Sequence, residues 1–338
     1  MNRTDEMMTF LNTHLTQGFR VESLAGDASF RRYHRIFFHV GSEIGRDEMS
    51  YLLMDAPPQK ESVVEFVKVA HILSEKVNVP DIIASDIERG FLLLQDFGTT
   101  EFAHLILDKN QKDKHYTTAL HTLAQLQQIR TDVDLPPYDD DKLTAEMNLF
   151  SEWFLPYVNV QFDDLSLLLW QRLQKILLDN IQTQPKVIVH RDYHSRNLMA
   201  DKSSDALGVI DFQDALIGAD TYDLVSLVRD AYIDEDEVWV NQKIEEFYTL
   251  IHRKDDIHAF TKDVNIMGIQ RHLKVLGIFV RLYQRDGKDR YLTNIPKVMN
   301  DLRIELAWLS EHGNNVVYGE FLAWLDKKVM PNYQQKFA

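Results

Sequence analysis

The stretch 188–199 reads IVHRDYHSRNLM: an apolar lead-in, then His190, Arg191 and Asp192, a polar and aromatic run, Asn197, and a return to apolar residues. Aspartate and asparagine make turns by hydrogen-bonding to nearby backbone, so a loop leaving a buried strand is one reading of Asp192 and Asn197. A second acidic segment, VIDFQD at 209–214, suggests another. Fourteen positions separate Asn197 from Asp211, enough for strand, turn and strand, so a hairpin would set the two side by side. Two hard oxygen donors suit Mg2+, which takes few protein ligands and completes its shell with phosphate oxygens and water. Asp192 then stands free to orient or deprotonate an acceptor hydroxyl. Positioning, a metal clamp and a base are what phosphoryl transfer asks of a protein.

The same string fits the kinase catalytic-loop pattern H-R-D-x-x-x-x-N, followed by an Asp-Phe pair on the next strand. Protein kinases continue through a long activation segment to Ala-Pro-Glu. Here DFQDALIGADTYDLVSLVRDAY runs from Asp211 into an amphipathic helix with no such segment. The arrangement therefore points to a kinase acting on a small molecule. A degenerate kinase that binds nucleotide without catalysis is the rival from another class, and an intact Asp192, Asn197 and Asp211 argue against it.

These residues need elements to position them. FRVESLAG and RRYHRIFFHV predict two strands joined by the turn AGDAS. SYLLMDAPP predicts a short strand stopped by two prolines, and GFLLLQDFG a buried strand that ends at Asp96 and Gly98. SVVEFVKVAHILSEKV, with Val63, Val67, Ala70 and Val77 near helical spacing, predicts an amphipathic helix. Beyond Gly98 the pattern turns helical through HYTTALHTLAQLQQI, TAEMNLFSEWFLPYV, DLSLLLWQRLQKILLDNI and the chain from Thr221 onward. The strands KVIVH and ALGVIDF interrupt it and flank the polar loop. The expectation is an α+β chain of two lobes. A small β-rich N-lobe over 1–95 binds nucleotide, and a larger, mainly helical C-lobe over 96–338 carries the catalytic loop, metal and acceptor.

Composition narrows the chemistry. At 45% hydrophobic residues there is ample material for a packed interior. The absence of cysteine excludes disulfides, thiolate catalysis and Cys-ligated zinc, and the scattered histidines lack the H-x-x-x-H spacing of a zinc site. A formal net charge of -15 argues against sequence-independent nucleic-acid binding. The N-terminus lacks the basic head and apolar run of a secretory signal, and no stretch reaches the ~18 apolar residues of a membrane span. A cytoplasmic chain with no membrane partner is expected.

HRDYHSRNLM and VIDFQDA resemble the catalytic loop and metal strand of the aminoglycoside phosphotransferase-like family, which has a protein-kinase-like fold. The resemblance implies ATP and Mg2+, with Asp192 as catalytic base, Asn197 and Asp211 holding the metal, and Asp223 bracing the loop from the following helix. GDASFRRYHRI, LLMDAPP, LLLQDFG, EMNLFSEWF and IQRHLKVLGIFVRL look like segments of the bacterial anomeric sugar kinases. Those enzymes phosphorylate N-acetylmuramate and N-acetylglucosamine at C1 during cell-wall recycling, and the similarity runs over most of the chain to about residue 310. It implies an amino-sugar acceptor phosphorylated at its anomeric hydroxyl. Another small-molecule kinase of the same fold, for an aminoglycoside, choline or homoserine, is the alternative.

The chain departs from the kinase pattern at two places. LAGDASFRRY holds a single glycine where the phosphate loop is Gly-rich, and by analogy with aminoglycoside kinases Ser29 offers its hydroxyl and backbone N–H to a phosphate. Met54 stands where kinases carry a strand lysine, so either Arg31, Arg32 or Lys60 supplies that charge or the phosphates are bound in another way. Leu94, Gln95 and Asp96 are the expected link whose backbone reads adenine, the other reading being a plain strand end. For the acceptor, Trp153 and Phe154 offer an aromatic face to a sugar ring, the other reading being plain core. Glu146, two turns earlier on the same face, would meet sugar hydroxyls or solvent. Arg271, His272, Lys274 and Arg281 concentrate positive charge on an otherwise apolar helix. Arg271 suits a lactyl carboxylate, or the cluster pairs internally with the surplus Asp and Glu. His194 and Arg196 are placed to touch substrate or phosphate, and His190 to hydrogen-bond the loop backbone.

Overall fold

Among the described residues, runs of alternating or continuously apolar residues become nine strands. They are β1 (Phe19–Ser23), β2 (Arg32–His39), β3 (Glu48–Asp55), β4 (Ile82–Asp86), β5 (Phe91–Gln95), β6 (Lys186–Val189), β7 (Leu198–Ala200), β8 (Leu207–Val209) and β9 (Leu216–Ala219). This computed structural model describes residues 2–24, 31–39 and 48–337, so the AGDAS turn and Ser29 lie outside the described residues. The chain divides into two units, Met1–Thr118 with Arg196–Asp214, and Ala119–Ser195 with Ala215–Ala338.

In the first unit β1 to β5 form one antiparallel sheet in the order β1-β2-β3-β5-β4. Ile36, Leu53, Phe91 and Leu93 bury one face of it against Met7, Phe10, Leu11 and Leu15. The first three of these lie on a helix, Arg3–His14, that the sequence reading leaves without an element. Its start is fixed by a reciprocal cap between Asn2 and Asp5, and Arg3 reaches from its first turn to Asp55 Oδ1 at 2.6 Å. The expected helix after the prolines forms over Val64–Leu73 and buries Phe66, Val69, Ala70 and Leu73; of the expected set Val63, Ala70 and Val77 are buried, the first and last just outside the helix, and Val67 is half-buried.

The hairpin expected around Asn197 and Asp211 is β7 with β8, in register Leu198↔Val209 to Ala200↔Leu207. It belongs to the first unit and is tied there by Val209 N–H to the Asn78 carbonyl (2.8 Å) and Lys202 N–H to the Phe97 carbonyl (3.1 Å). Gly208 is required by that docking, since a Cβ there would come within 2.5 Å of the Phe97 ring. Asp96 anchors the same region. Its carboxylate accepts from Arg35 Nε (2.8 Å), Ser50 Oγ (2.5 Å) and the Gly98 N–H (3.0 Å), with Lys202 Nζ at 3.4 Å.

The second unit is mainly helical. β6 pairs with β9, a four-residue run too short for alternation to announce it, from Lys186↔Ala219 to Val189↔Leu216. The helix Ile257–Asp286 runs for 30 residues, capped by Asp256, and carries 271–274 through the interior. A helix over Asp140–Leu149 meets it at Gly277, where a Cβ would lie 2.2 Å from the Leu149 carbonyl carbon. That helix does not run straight on, as the sequence suggests. Phe150–Phe154 form a π turn, with Leu155 N–H bonded five residues back to the Phe150 carbonyl. The wider turn breaks the seven-residue phase that would have put Glu146 and Trp153 on one face. Phe150 and Phe154 stack at 5.2 Å and are fully buried, so Phe154 is core.

Candidate active site

In the second unit the chain leaves β6 into a loop whose backbone is held at successive residues. His190 N–H and Arg191 N–H donate to the two oxygens of Asp223 at 2.7 and 3.0 Å, from the first turn of the helix Tyr222–Val228. Ser195 N–H donates to Asp230 Oδ2 (2.9 Å), and the buried Tyr193 hydroxyl donates to the Ala119 carbonyl (2.8 Å). Arg191 lies at φ 77, a left-handed conformation that only surrounding constraints maintain in a residue with a Cβ. Asp192 follows it, with its N–H on His190 Nδ1 at 3.2 Å. Asp223, expected to brace this loop, accepts both N–H groups at its start.

The charges around Asp192 come from three places. Burial pushes its carboxyl up, but Lys274, His194, Arg271 and His190 outweigh that and hold it below the usual carboxylate range. Burial pushes Asp223 the other way, to about 6, against the His190 charge and the two N–H groups it accepts. Of the cluster on Ile257–Asp286, Lys274 and His272 meet acidic side chains inside the chain, whereas the hydrogen-bond acceptors of Arg271 are neutral. Arg271 Nη1 donates to the Arg191 carbonyl (3.1 Å) and the Tyr222 hydroxyl oxygen (3.2 Å). His272 Nδ1 lies 2.8 Å from Glu305 Oε2, and burial lowers it to about 3, so it is neutral. Lys274 Nζ bonds the Tyr222 hydroxyl oxygen (3.0 Å) and lies 3.1 Å from Glu146 Oε1.

Glu146 is therefore buried inside an ionic cluster rather than solvated. Its carboxylate also accepts from Arg191 Nη2 and the Tyr138 hydroxyl. Burial raises its pKa, but Lys274 and Arg191 together keep it below the ordinary glutamate value. Trp153 is half-buried, and His194 is half-buried with its ring edge-on to Tyr232 at 5.4 Å. Tyr138, Tyr222 and Asp230 were not singled out from the sequence, since nothing in their local spacing separates them from core or turn residues.

In the first unit Asn197 and Asp211 stand at one end of the β7–β8 hairpin, as the fourteen-residue spacing requires. Ile210 N–H donates to the Asn197 carbonyl at 3.0 Å, and Asn197 Nδ2 lies 3.5 Å from Asp211 Oδ2. Asp211 is exposed, at φ 63, with Gln213 Nε2 on Oδ1 at 3.0 Å. Among the described residues no three acidic or histidine side chains form a ready-made metal site. One carboxylate and one amide oxygen, open to solvent, fit a cation that keeps phosphate and water as its other ligands. Arg196, also in this unit, is exposed.

The candidate phosphate cations differ sharply. Arg32 and Lys60 are exposed, whereas Arg31 is buried and pairs with Glu61 at 2.7 Å. Burial pushes the Tyr33 hydroxyl up to about 12, Arg31 opposes this, and Asp211 and Glu61 add to it, so these four groups share one neighbourhood. Met54 is fully buried on β3, opposite Tyr33. Leu94 is buried, and Gln95 Nε2 donates to Ser203 Oγ at 3.2 Å. The Asp96 side chain is taken up by Arg35, Ser50 and Lys202.

A sheet-bearing unit, a mainly helical unit and an H-R-D-x-x-x-x-N loop braced by the next helix are the parts of a kinase-like phosphotransferase. Residues 20–254 match the phosphotransferase enzyme family named APH, and the chain belongs to that family. The N-acetylmuramate/N-acetylglucosamine kinase of Pseudomonas putida is 37% identical over 333 residues, covering 91% of this chain and 95% of its own. The kinase of the same name from Neisseria meningitidis serogroup B is 38% identical over 313 residues, covering 90% and 91%. Among solved structures, a Plasmodium vivax ethanolamine kinase superposes with a TM-score of 0.60 at 12% identity, over 85% of this chain and 81% of that one. The ADP-bound aminoglycoside phosphotransferase APH(2'')-Ib gives 0.57 at 14%, over 88% and 97%. These two likenesses establish the protein-kinase-like α+β fold. No helix among the described residues is long and apolar enough to cross a membrane.

Proposed function

We propose that this chain is an ATP-dependent amino-sugar kinase that phosphorylates the C1 hydroxyl of N-acetylmuramate or N-acetylglucosamine in peptidoglycan recycling. The observation that carries the chemistry is the loop around Asp192, tied at its backbone and surrounded by cations that keep the carboxylate ionised. The sugar comes from the near full-length relation to two kinases of that name.

Asp192 accepts a hydrogen bond from the C1 hydroxyl and aims its lone pair at the γ-phosphorus of ATP. The C1 oxygen–phosphorus bond forms as the bond to the β–γ bridging oxygen breaks. ADP leaves with that electron pair, and the hydroxyl proton passes to Asp192. The anomeric hydroxyl is the most acidic on the ring because the ring oxygen withdraws electron density, so a weakly basic carboxylate suffices. Asn197 and Asp211 would hold Mg2+, which supplies positive charge to the β- and γ-phosphate oxygens. Arg31 is the best-supported replacement for the missing strand lysine, being buried and paired with Glu61 much as the kinase lysine pairs with a helix glutamate. Ser29 and Arg32 are assigned to the phosphates, and the main chain of Leu94, Gln95 and Asp96 to adenine. Apart from Asp96 at the boundary, nucleotide contacts then come from 1–95 and acceptor contacts from 96–338, with His194 and Arg196 nearest Asp192 in sequence and Trp153 offered to the sugar ring.

The test is ADP release, measured with each amino sugar, an aminoglycoside, choline and homoserine as acceptor. Turnover confined to the two amino sugars is expected. Turnover of one of the others in their place would replace the acceptor, and no ADP release with any of them would overturn the reading.

A further inference from the structure

Arg191 is fixed from three directions within its own unit. Its N–H goes to Asp223, its carbonyl accepts Arg271 Nη1, and its guanidinium meets Glu146, which lies on a helix 45 residues upstream. Kinases that are switched by phosphorylation order their loops through arginine–phosphate pairs. This sequence has the loop arginine but no activation segment to phosphorylate. In its place stands a carboxylate that is buried and shared with Lys274 at 3.1 Å.

We propose that Glu146 and Lys274 form a permanent counter-charge couple that positions Arg191, and through it Asp192, so that the catalytic loop is competent without modification. The proposal rests on Asp192 being the catalytic carboxylate. Both members are positioning residues.

The charge balance gives the reason. Around Asp192 stand His190 and His194 from its own loop, Asp223 beside Tyr222 on the next helix, and Arg271 and Lys274 on Ile257–Asp286. Asp223 is engaged by two backbone N–H groups. If Glu146 loses its charge, Lys274 and Arg191 lose their shared anion, and Asp192 is the carboxylate left for them to capture. A captured Asp192 is a poorer base and points away from the acceptor.

The test uses the full chain and three variants, with steady-state kinetics for ATP and sugar. Glu146→Gln keeps the size and a hydrogen-bond acceptor for Tyr138. It is expected to lower kcat by about 10- to 100-fold, the scale of a misplaced base, with both KM values within about two-fold of wild type. Glu146→Gln with Lys274→Met removes the stranded cation and is expected to turn over faster than Glu146→Gln alone, a non-additivity that simple loss of packing does not produce. Lys274→Met alone is expected to move the acid limb of kcat to higher pH, because Lys274 helps hold Asp192 below its ordinary range. A sugar KM raised ten-fold or more at unchanged kcat would make Glu146 a sugar ligand and overturn the proposal. A double variant slower than either single would overturn it as well. Should Glu146→Gln fail to fold, the acid limb of Lys274→Met decides, and an unmoved limb counts against the couple. If the wild type turns over neither sugar, the acceptor reading falls separately, and the same variants are compared on phosphoryl transfer to water.

Discussion

The loop that carries Asp192 and the placing of Asn197 beside Asp211 were legible at the residue scale, because a loop and a hairpin preserve short covalent spacings. Glu146 was noticed but its role was not legible, since its partners Arg191 and Lys274 are 45 and 128 positions away and only packing joins them. In the Arg271–Lys274 cluster burial sets Lys274 against Glu146 and leaves His272 neutral beside Glu305, while Arg271 donates to a carbonyl and a hydroxyl oxygen. The residue-scale prediction concerns Asp192. Changing Asp192→Asn keeps shape but removes the proton acceptor, so kcat should fall by about 10²-fold or more, with ADP affinity little changed. Parallel turnover and ADP-binding measurements decide it. Near-normal turnover would remove Asp192 from the chemistry.

β1, β2, β3 and β5 were readable as elements because their apolar patterning outlasts the noise, and the β7–β8 hairpin followed from its length. The first helix, β4, β9 and the π turn were not. The first two strands missed are five and four residues long, and the helix depends on a cap whose partners lie three residues apart. The π turn adds a single residue to a helix and leaves no mark on composition, yet it rotates Trp153 out of phase with Glu146. Just beyond Glu146, the approach of Leu149 to Gly277 sets how near Asp140–Leu149 comes to Lys274. A side chain at 277 must push the two helices apart. Gly277→Val is expected to destabilise by about 1–3 kcal/mol, an overpacking cost, and to lower kcat while leaving the ATP KM unchanged. Denaturant unfolding and kinetics on one preparation check both halves. A stable variant with normal kcat would show that this contact does not position the loop.

For the whole molecule, acid is the informative stress. Glu146 and Asp96 both have folded pKa values below their ordinary 4.5 and 3.8, through Lys274 and Arg191 in one unit and Ser50, Gly98 and Arg35 in the other, in each case overcoming burial. Groups of this sign stabilise fully above the unfolded pKa, and the stabilisation is lost as pH falls through the folded value. The melting temperature should therefore fall below pH about 4.5, and less steeply in Glu146→Gln, which has no proton to take up at that position. An identical slope in that variant would mean the cluster contributes nothing to acid stability. At the same scale, the relation to amino-sugar kinases over nine-tenths of the chain makes product identity the decisive matter.

Transfer to the anomeric hydroxyl leaves its mark on the product. ATP and N-acetylglucosamine or N-acetylmuramate are incubated with the protein, and the phosphorylated product is assayed for reducing sugar and for phosphate released in mild acid. A 1-phosphate is expected: no reducing end, and phosphate freed by mild acid. A product that is phosphorylated, still reducing and stable to that acid would contradict it.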